Sequence, residues 1–317
     1  MRIPFSIPPP GAKPFDLVGI GLNSVDLLTV VGEFPTSNSK QRLQRFAKMP
    51  GGQIATALAT AARLGWRTRY IGSFGGDEFG DLSRESLERE GVDLSAARTV
   101  AGASNQFAVI LVDASTGDRT VLWDRHPDLT MQPEDVPREA VISGRLVIVD
   151  CHETSAATQA ATYAREAGVP TLIDVEKVRP GIAGLLQQID VIVAAQDFPT
   201  ALTGYDSPGR AIEALGREFG AAIVTVTLGE EGSLTWCGGR LLRTPGFKVD
   251  CVDSTGAGDV FRGALAAACL RDPRGEIEDA LAFASAAAAL NCRALGARAG
   301  IADLEDIYQL LKTQPQF

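Results

Sequence analysis

Histidine is nearly missing from this sequence: His126 and His152 are the only two among 317 residues. The five cysteines, Cys151, Cys237, Cys251, Cys269 and Cys292, are scattered, with no CxxC spacing. So few soft ligands, so far apart, give no support to a zinc site or a disulfide framework, and reduced thiols are expected. No stretch approaches the roughly eighteen apolar residues of a membrane span, so a membrane is not expected as a partner. The start, "MRIPFSIPPPGAKPF", is proline-rich and lacks the unbroken apolar core of a signal peptide. Residues 1–14 read as a flexible tail and the location as cytoplasmic. Positive charge is also short: 30 Lys and Arg face 39 Asp and Glu, a formal charge of −9. An acidic surface repels phosphate backbones, which argues against nucleic acid, although local donors can still hold a small anion. The P-loop pattern GxxxxGK[ST] does not occur, and "GIGLNS" has Ser24 where a dinucleotide fingerprint needs its third glycine.

What is present is an α/β rhythm. Phe15–Gly21, Thr68–Ile71, Arg145–Asp150, "PTLIDV", "IDVIVAA" and "AAIVTVTLG" read as strands, nearly all Val, Ile and Leu. Between them, residues 51–64, 78–90, 156–167, 210–219, 258–269 and 277–291 read as helices, several stopped by glycine. Such runs predict a three-layer α/β sandwich whose mainly parallel central sheet is buried on both faces. Gln106–Val112 and Arg119–Trp123, separated by the turn signal "DASTGD", read instead as a hairpin. With the mixed stretch at about 32–50, the region at about 104–124 is expected to form a small β lid on one domain spanning 15–317. An open hairpin edge needs protection, which suggests a homodimer through paired lids.

Four segments can carry chemistry. In "DSTGAGDVFRG", Gly256, Ala257 and Gly258 stand at the entry to an apolar helix, where unpaired backbone N–H groups can hold a phosphate. Asp259 falls in that first turn and can be aimed at a hydroxyl; a plain N-terminal cap is the bland reading. In "TLGEEG", a strand delivers Thr227, followed by Gly229 and Gly232, which suits a nucleotide pocket or a simple turn. In "GLNSVD", Asp26 can accept sugar hydroxyls or be a solvated turn acid. In "MPGGQIATALATAARLG", Gly52 can bring the backbone to a ligand, with Gln53 and Thr56 adding polar contacts. Asp77 either joins that cleft or caps the next helix. On the lid, Phe107 or Trp123 can cover a sugar face and Arg125, beside His126, can meet an anionic group; packing and solvation are the rival readings.

Taken together these segments resemble the ribokinase-like, or PfkB, carbohydrate kinases. "DSTGAGDVFRG" is similar to the family's C-terminal signature, "PGGQIATALATAARLG" with "GSFGGDEFG" to its N-terminal one, and "TLGEEG" to its nucleotide loop; order and spacing agree over about 15–305. The resemblance implies ATP-dependent phosphorylation of a small sugar, with Asp259 as base and Gly256–Gly258 as anion hole. It places Asp26 and Gly52 at sugar hydroxyls, Thr227, Gly229 and Gly232 near the nucleotide, and Asn291 near the adenine. Mg2+ is implied as cofactor, and Asp253 and Thr255 fall beside a K+ site found in some members. Two departures stand out: Thr56 replaces a usual asparagine, and Ala195 and Phe198 occupy the key places of the NxxE element associated with magnesium. The expected acceptor is a ketohexose such as fructose. Ribose, an acidic sugar such as 2-keto-3-deoxygluconate, a sulfonated sugar and a nucleoside are the alternatives, and a non-catalytic sensor is the rival class. An ordinary aspartate pKa would leave Asp259 ionised at neutral pH.

Overall fold

A computed structural model describes residues 1–116 and 119–314. The elements in chain order are β1 (Phe15–Ile20), β2 (Ser24–Val31), β3 (Arg45–Gly51), α1 (Gln53–Arg63), β4 (Thr68–Ile71), β5 (Ser73–Gly75), α2 (Glu78–Arg89) and β6 (Arg98–Val100). Then come β7 (Phe107–Asp113), β8 (Arg119–Asp124), α3 (Arg138–Val141), β9 (Gly144–Asp150), α4 (Thr154–Glu166), β10 (Thr171–Val175), α5 (Ile182–Leu186), β11 (Val191–Ala194) and α6 (Phe198–Thr203). The last are α7 (Pro208–Phe219), β12 (Ile223–Thr227), β13 (Ser233–Cys237), β14 (Arg240–Thr244), α8 (Ala257–Arg271), α9 (Ile277–Asn291) and α10 (Leu304–Thr313).

The main sheet runs β14-β13-β12-β11-β10-β9-β1-β4. From β4 to β12 every pairing is parallel, and the β13–β14 hairpin adds an antiparallel edge. Successive side chains on a strand point to opposite faces, and here they feed two cores. Leu17, Leu146, Ile148, Leu172 and Val193 pack with α1, α8 and α9; their neighbours Val18, Val147, Val149, Ile173 and Ile192 pack with α4, α5 and α7. The expected sandwich is therefore present, and the alanine-rich α9 is its buried helix. Gly263 brings α8 against α1, since a Cβ there would lie 2.3 Å from the Ala57 carbonyl oxygen.

A second sheet, β3-β2-β7-β8, stands outside the first. Its hairpin β7–β8 has the antiparallel pairing expected of 104–124, although Gly117 and Asp118 of the "DASTGD" turn lie outside the described residues. Its other half begins earlier than expected. The run "SVDLLTVV" forms β2 at the sheet's centre, parallel to β7, while in the 32–50 stretch strand begins only at Arg45, with β3 running on to Gly51. The chain leaves the main sheet at Gly21, where φ is 150°, so the apolar pattern continues across a turn into a different sheet.

The N-terminal segment is not a free tail. Ile3 and Ile7 are buried in the α8–α9 core, the Met1 ammonium pairs with Glu276 and Glu278, and the Pro8 carbonyl accepts from buried Arg145 at 2.7 Å. Two isoleucines set among prolines supply the apolar surface that docks this strip.

Candidate active site

The carboxyl ends of β1, β9 and β10 face the second sheet across a cleft. Contacts span it: Arg119 of β8 reaches Ser254 Oγ at 3.1 Å, and Met49 of β3 crowds Gly296, where a Cβ would come within 2.4 Å of its Sδ.

Helix α8 enters this cleft by its N-terminus. Its N-cap is Gly256, with φ 73° and no side-chain cap. A Cβ there would lie 2.5 Å from the Ala297 carbonyl oxygen, so both backbone conformation and space require glycine. The expected three-amide hole is modified. Ala257 N–H is spent on Ser254 O, while Gly258 and Asp259 occupy the second and third helical positions, whose N–H groups have no partner inside the helix. Asp259 is half-buried in this first turn. Its carboxyl is not ordinary: desolvation pushes its pKa up to about 6, against the pull of Arg262 and with a further push from Glu176 and Asp26. Arg262 Nε lies 2.8 Å from Asp174 Oδ1, a buried ion pair one helical turn below.

Asp26 lies on β2, 7% exposed, and accepts from Ser24 Oγ at 3.2 Å. Burial raises its pKa to about 6 as well, with the Ser24 hydrogen bond and Arg298 opposing. Against it lies the Gly51–Gly52 turn, so close that a Cβ on Gly51 would be 2.3 Å from Asp26 Oδ2. Gln53 opens α1 beside this turn, and its Oε1 is buried without a hydrogen-bond partner, an orphan suited to a ligand hydroxyl. Asp150, at the end of β9, accepts from Leu22 N at 2.6 Å and His152 N at 2.9 Å and so fixes the β1 turn.

Other expected residues fall elsewhere. Thr56 is fully buried, with Oγ1 accepting from Arg298 Nε at 3.0 Å, so it supports the arginine and not a ligand directly. Asn291 is also enclosed: Nδ2 donates to Ala297 O at 3.1 Å and Thr255 O at 3.3 Å, joining two loops where a nucleotide contact was expected. Arg125 is bound to Glu153 and to Leu129 O, which makes it a wall of the cleft with its charge already paired. Phe107 packs on Phe79, ring centroids 5.6 Å apart. Asp77 accepts from Gly80 N at 2.9 Å and Asn105 N at 3.1 Å, which makes it the helix cap. Thr227 ends β12, and Gly229 and Gly232 bound the short 3-10 turn that follows, at the same sheet edge.

Neither metal finds a ready cage. Asp253 Oδ1 accepts from Thr255 N and Oγ1 at 2.9 and 2.7 Å, and Oδ2 from Gly296 N at 2.8 Å, so its oxygens are engaged by protein donors. Among the described residues no three metal-type ligands converge, and Phe198 is buried in the core.

Sequence reasoning missed Arg298, in the small-residue run "ALGARAG". An arginine between alanines is its only signal.

Known proteins bear on this arrangement. Residues 15–304 match the profile described as pfkB family carbohydrate kinase. Fructokinase-1 of Oryza sativa subsp. japonica is 30% identical over 294 residues, covering 84% of this chain and 90% of its own. An ATP-dependent ribose-1-phosphate kinase of Halopiger xanaduensis is 30% identical over 276 residues, covering 86% and 90%. The structure of Arabidopsis thaliana ribokinase complexed with ribose and ATP aligns with TM-score 0.82 at 27% identity, over 94% of this chain and 99% of that one. A sandwich closed by a second sheet, an α8 N-terminus aimed into the cleft and a profile match spanning nearly its whole length place this chain in the pfkB family of carbohydrate kinases, as an ATP-dependent enzyme acting on a small sugar hydroxyl.

Proposed function

We propose that Asp259 is the general base of this kinase and that the unpaired amides at the start of α8 stabilise the transferring phosphoryl group. The observation that carries this reading is one helix turn holding both parts: a half-buried carboxylate and free N–H groups at positions 258 and 259. Asp259 takes the proton of the sugar's primary hydroxyl, that oxygen attacks the γ-phosphorus in line, and the bond to the β-phosphate oxygen breaks to release ADP. Asp26, the Gly52 backbone and Gln53 hold the sugar. Thr227, Gly229 and Gly232 flank the nucleotide. Magnesium, when bound to the phosphates, draws off the charge that builds on them.

The second sheet serves as a lid. Its edge strand β8 is exposed along its length, with Trp123 59% exposed and Leu122 57%. Pairing of two such edges in a homodimer would cover it, and a mass-resolved light-scattering measurement that finds only monomer across the working concentration range overturns that part.

The acceptor is a small sugar with a free primary alcohol. Similar proteins are named for fructose, ribose, deoxyribose, ribose 1-phosphate and nucleosides, so fructose has no preference over the others. An ADP-release screen across ketoses, pentoses, sugar phosphates, acidic and sulfonated sugars and nucleosides tests the reading. Sugar-dependent ADP formation is the expected result. A response to nucleosides alone would remove the sugar assignment.

A further inference from the structure

Arg298 lies beneath the sugar side of the cleft, 5% exposed. Its guanidinium is spread over three acceptors on three elements: Nε to Thr56 Oγ1 of α1 at 3.0 Å, Nη1 to Ser86 Oγ of α2 at 2.9 Å, and Nη2 to the Gly51 carbonyl of β3. All three are neutral, and among the described residues it makes no ion pair. Burying a cation without a carboxylate in contact is costly, and neutral acceptors recover only part of that cost. The missing compensation has to come from charges at longer range. The carboxylates that act on it most are Asp26 and Asp259, ahead of Glu90.

The contacts also form a mechanical chain. Arg298 grips the Gly51 carbonyl, and Gly51 is the residue against which the Asp26 carboxylate leans with no room for a Cβ. The peptide that presents the Gly52 backbone is therefore set by the same guanidinium that faces the carboxylate beside it.

We propose that Arg298 is a positioning residue of the active site, which fixes the Gly51–Gly52 turn for the sugar and sets its charge beside the Asp26 carboxylate. This rests on the kinase reading above. Other groups bear on the same carboxylates: Arg262 of α8, Asp174 of β10 and Glu176 just beyond β10 act on Asp259, and Asp253 acts on Asp26 from the loop before α8. Arg262 already neutralises Asp174 by ion pairing. Arg298 is thus a cation that acts on Asp26, and the second, after Arg262, to act on Asp259. Burial lowers its own pKa only to about 10, so it stays charged at neutral pH.

Two variants and one turnover-free measurement test this. Arg298→Met should raise the sugar KM about tenfold or more with the ATP KM within about twofold, and should move the acid limb of kcat/KM up by about one pH unit. Arg298→Lys keeps the charge without the three-way grip, so it should return the acid limb towards wild type while the sugar KM stays high. Carboxyl 13C titration of Asp26 and Asp259 in the ligand-free protein should show the same upward shift in Arg298→Met. That shift is read without catalysis, so it separates failure of this role from failure of the kinase reading. If Arg298→Met does not fold, Thr56→Val removes one acceptor and leaves the charge: a higher sugar KM with an unchanged acid limb supports the proposal. A folded Arg298→Met with wild-type sugar KM, acid limb and carboxyl titration, altered only in melting temperature, overturns it, as does an unchanged sugar KM in Thr56→Val.

Discussion

As the proposed base, Asp259 has to meet two opposed requirements. It must be ionised to take a proton, and it must stand away from bulk water where phosphoryl transfer is protected from hydrolysis. Burial raises its pKa to about 6, which brings its proton affinity nearer to neutrality and strengthens it as a base. The activity consequence has a definite sign: kcat/KM should climb as pH rises through about 6 and level off above about 7. A flat profile between pH 5 and 7.5 would contradict this. The stability consequence runs the other way. A carboxyl whose folded pKa exceeds its unfolded value binds protons more tightly when folded, so its contribution is present at low pH and is lost as pH rises through about 6. Asp259→Asn removes that loss, and should raise stability by roughly 1–3 kcal/mol at pH 7.5 with the gain shrinking below pH 6. Denaturant melts at the two pH values check it. At this scale Asp259, Asp26 and Gln53 stand out in the sequence as candidates, because a motif and its local turn mark them. The places of Thr56, Asn291 and Arg298 were not legible there. Their directions depend on which buried partner each meets, and Arg298 meets residues more than 200 positions away.

At the scale of elements, the N-terminus of α8 is the part on which the site depends most. Gly256 combines a left-handed φ of 73° with backbone contact to Ala297. Gly256→Ala should cost about 1 kcal/mol for conformation and more for the clash, and should lower turnover by displacing the 258–259 amides. Wild-type kcat in that variant would mean that the amides do not take part. The α/β elements were readable because Val/Ile/Leu runs and glycine stops mark them directly, and α9 spans the residues expected. The place of β2 was not. "SVDLLTVV" looks like a continuation of β1 in composition, and only the turn at Gly21 sends it into the second sheet beside β7.

For the molecule as a whole, two cores on opposite faces of one sheet hold the strand ends that form the cleft. The N-terminal strip is part of this frame. Deleting residues 1–8 exposes the sites of Ile3 and Ile7 and frees Glu278, whose carboxyl is held low by hydrogen bonding to the Met1 ammonium against desolvation. A loss of roughly 2–4 kcal/mol is expected, with catalytic constants little changed at low temperature. Thermal melts of the truncated chain measure it, and an unchanged midpoint would show that the docking contributes nothing. The strip was read as a tail because five prolines in fourteen residues mask two well-placed isoleucines.

The central claim is that Asp259 takes the acceptor's proton while the amides beside it hold the phosphoryl group. The most direct test is sugar-dependent ADP formation by Asp259→Asn beside wild type, with ATP and sugar binding followed by calorimetry. The account predicts turnover lowered by about 10²- to 10⁴-fold with both binding constants within a few-fold of wild type. A folded Asp259→Asn variant that turns over at the wild-type rate would contradict it.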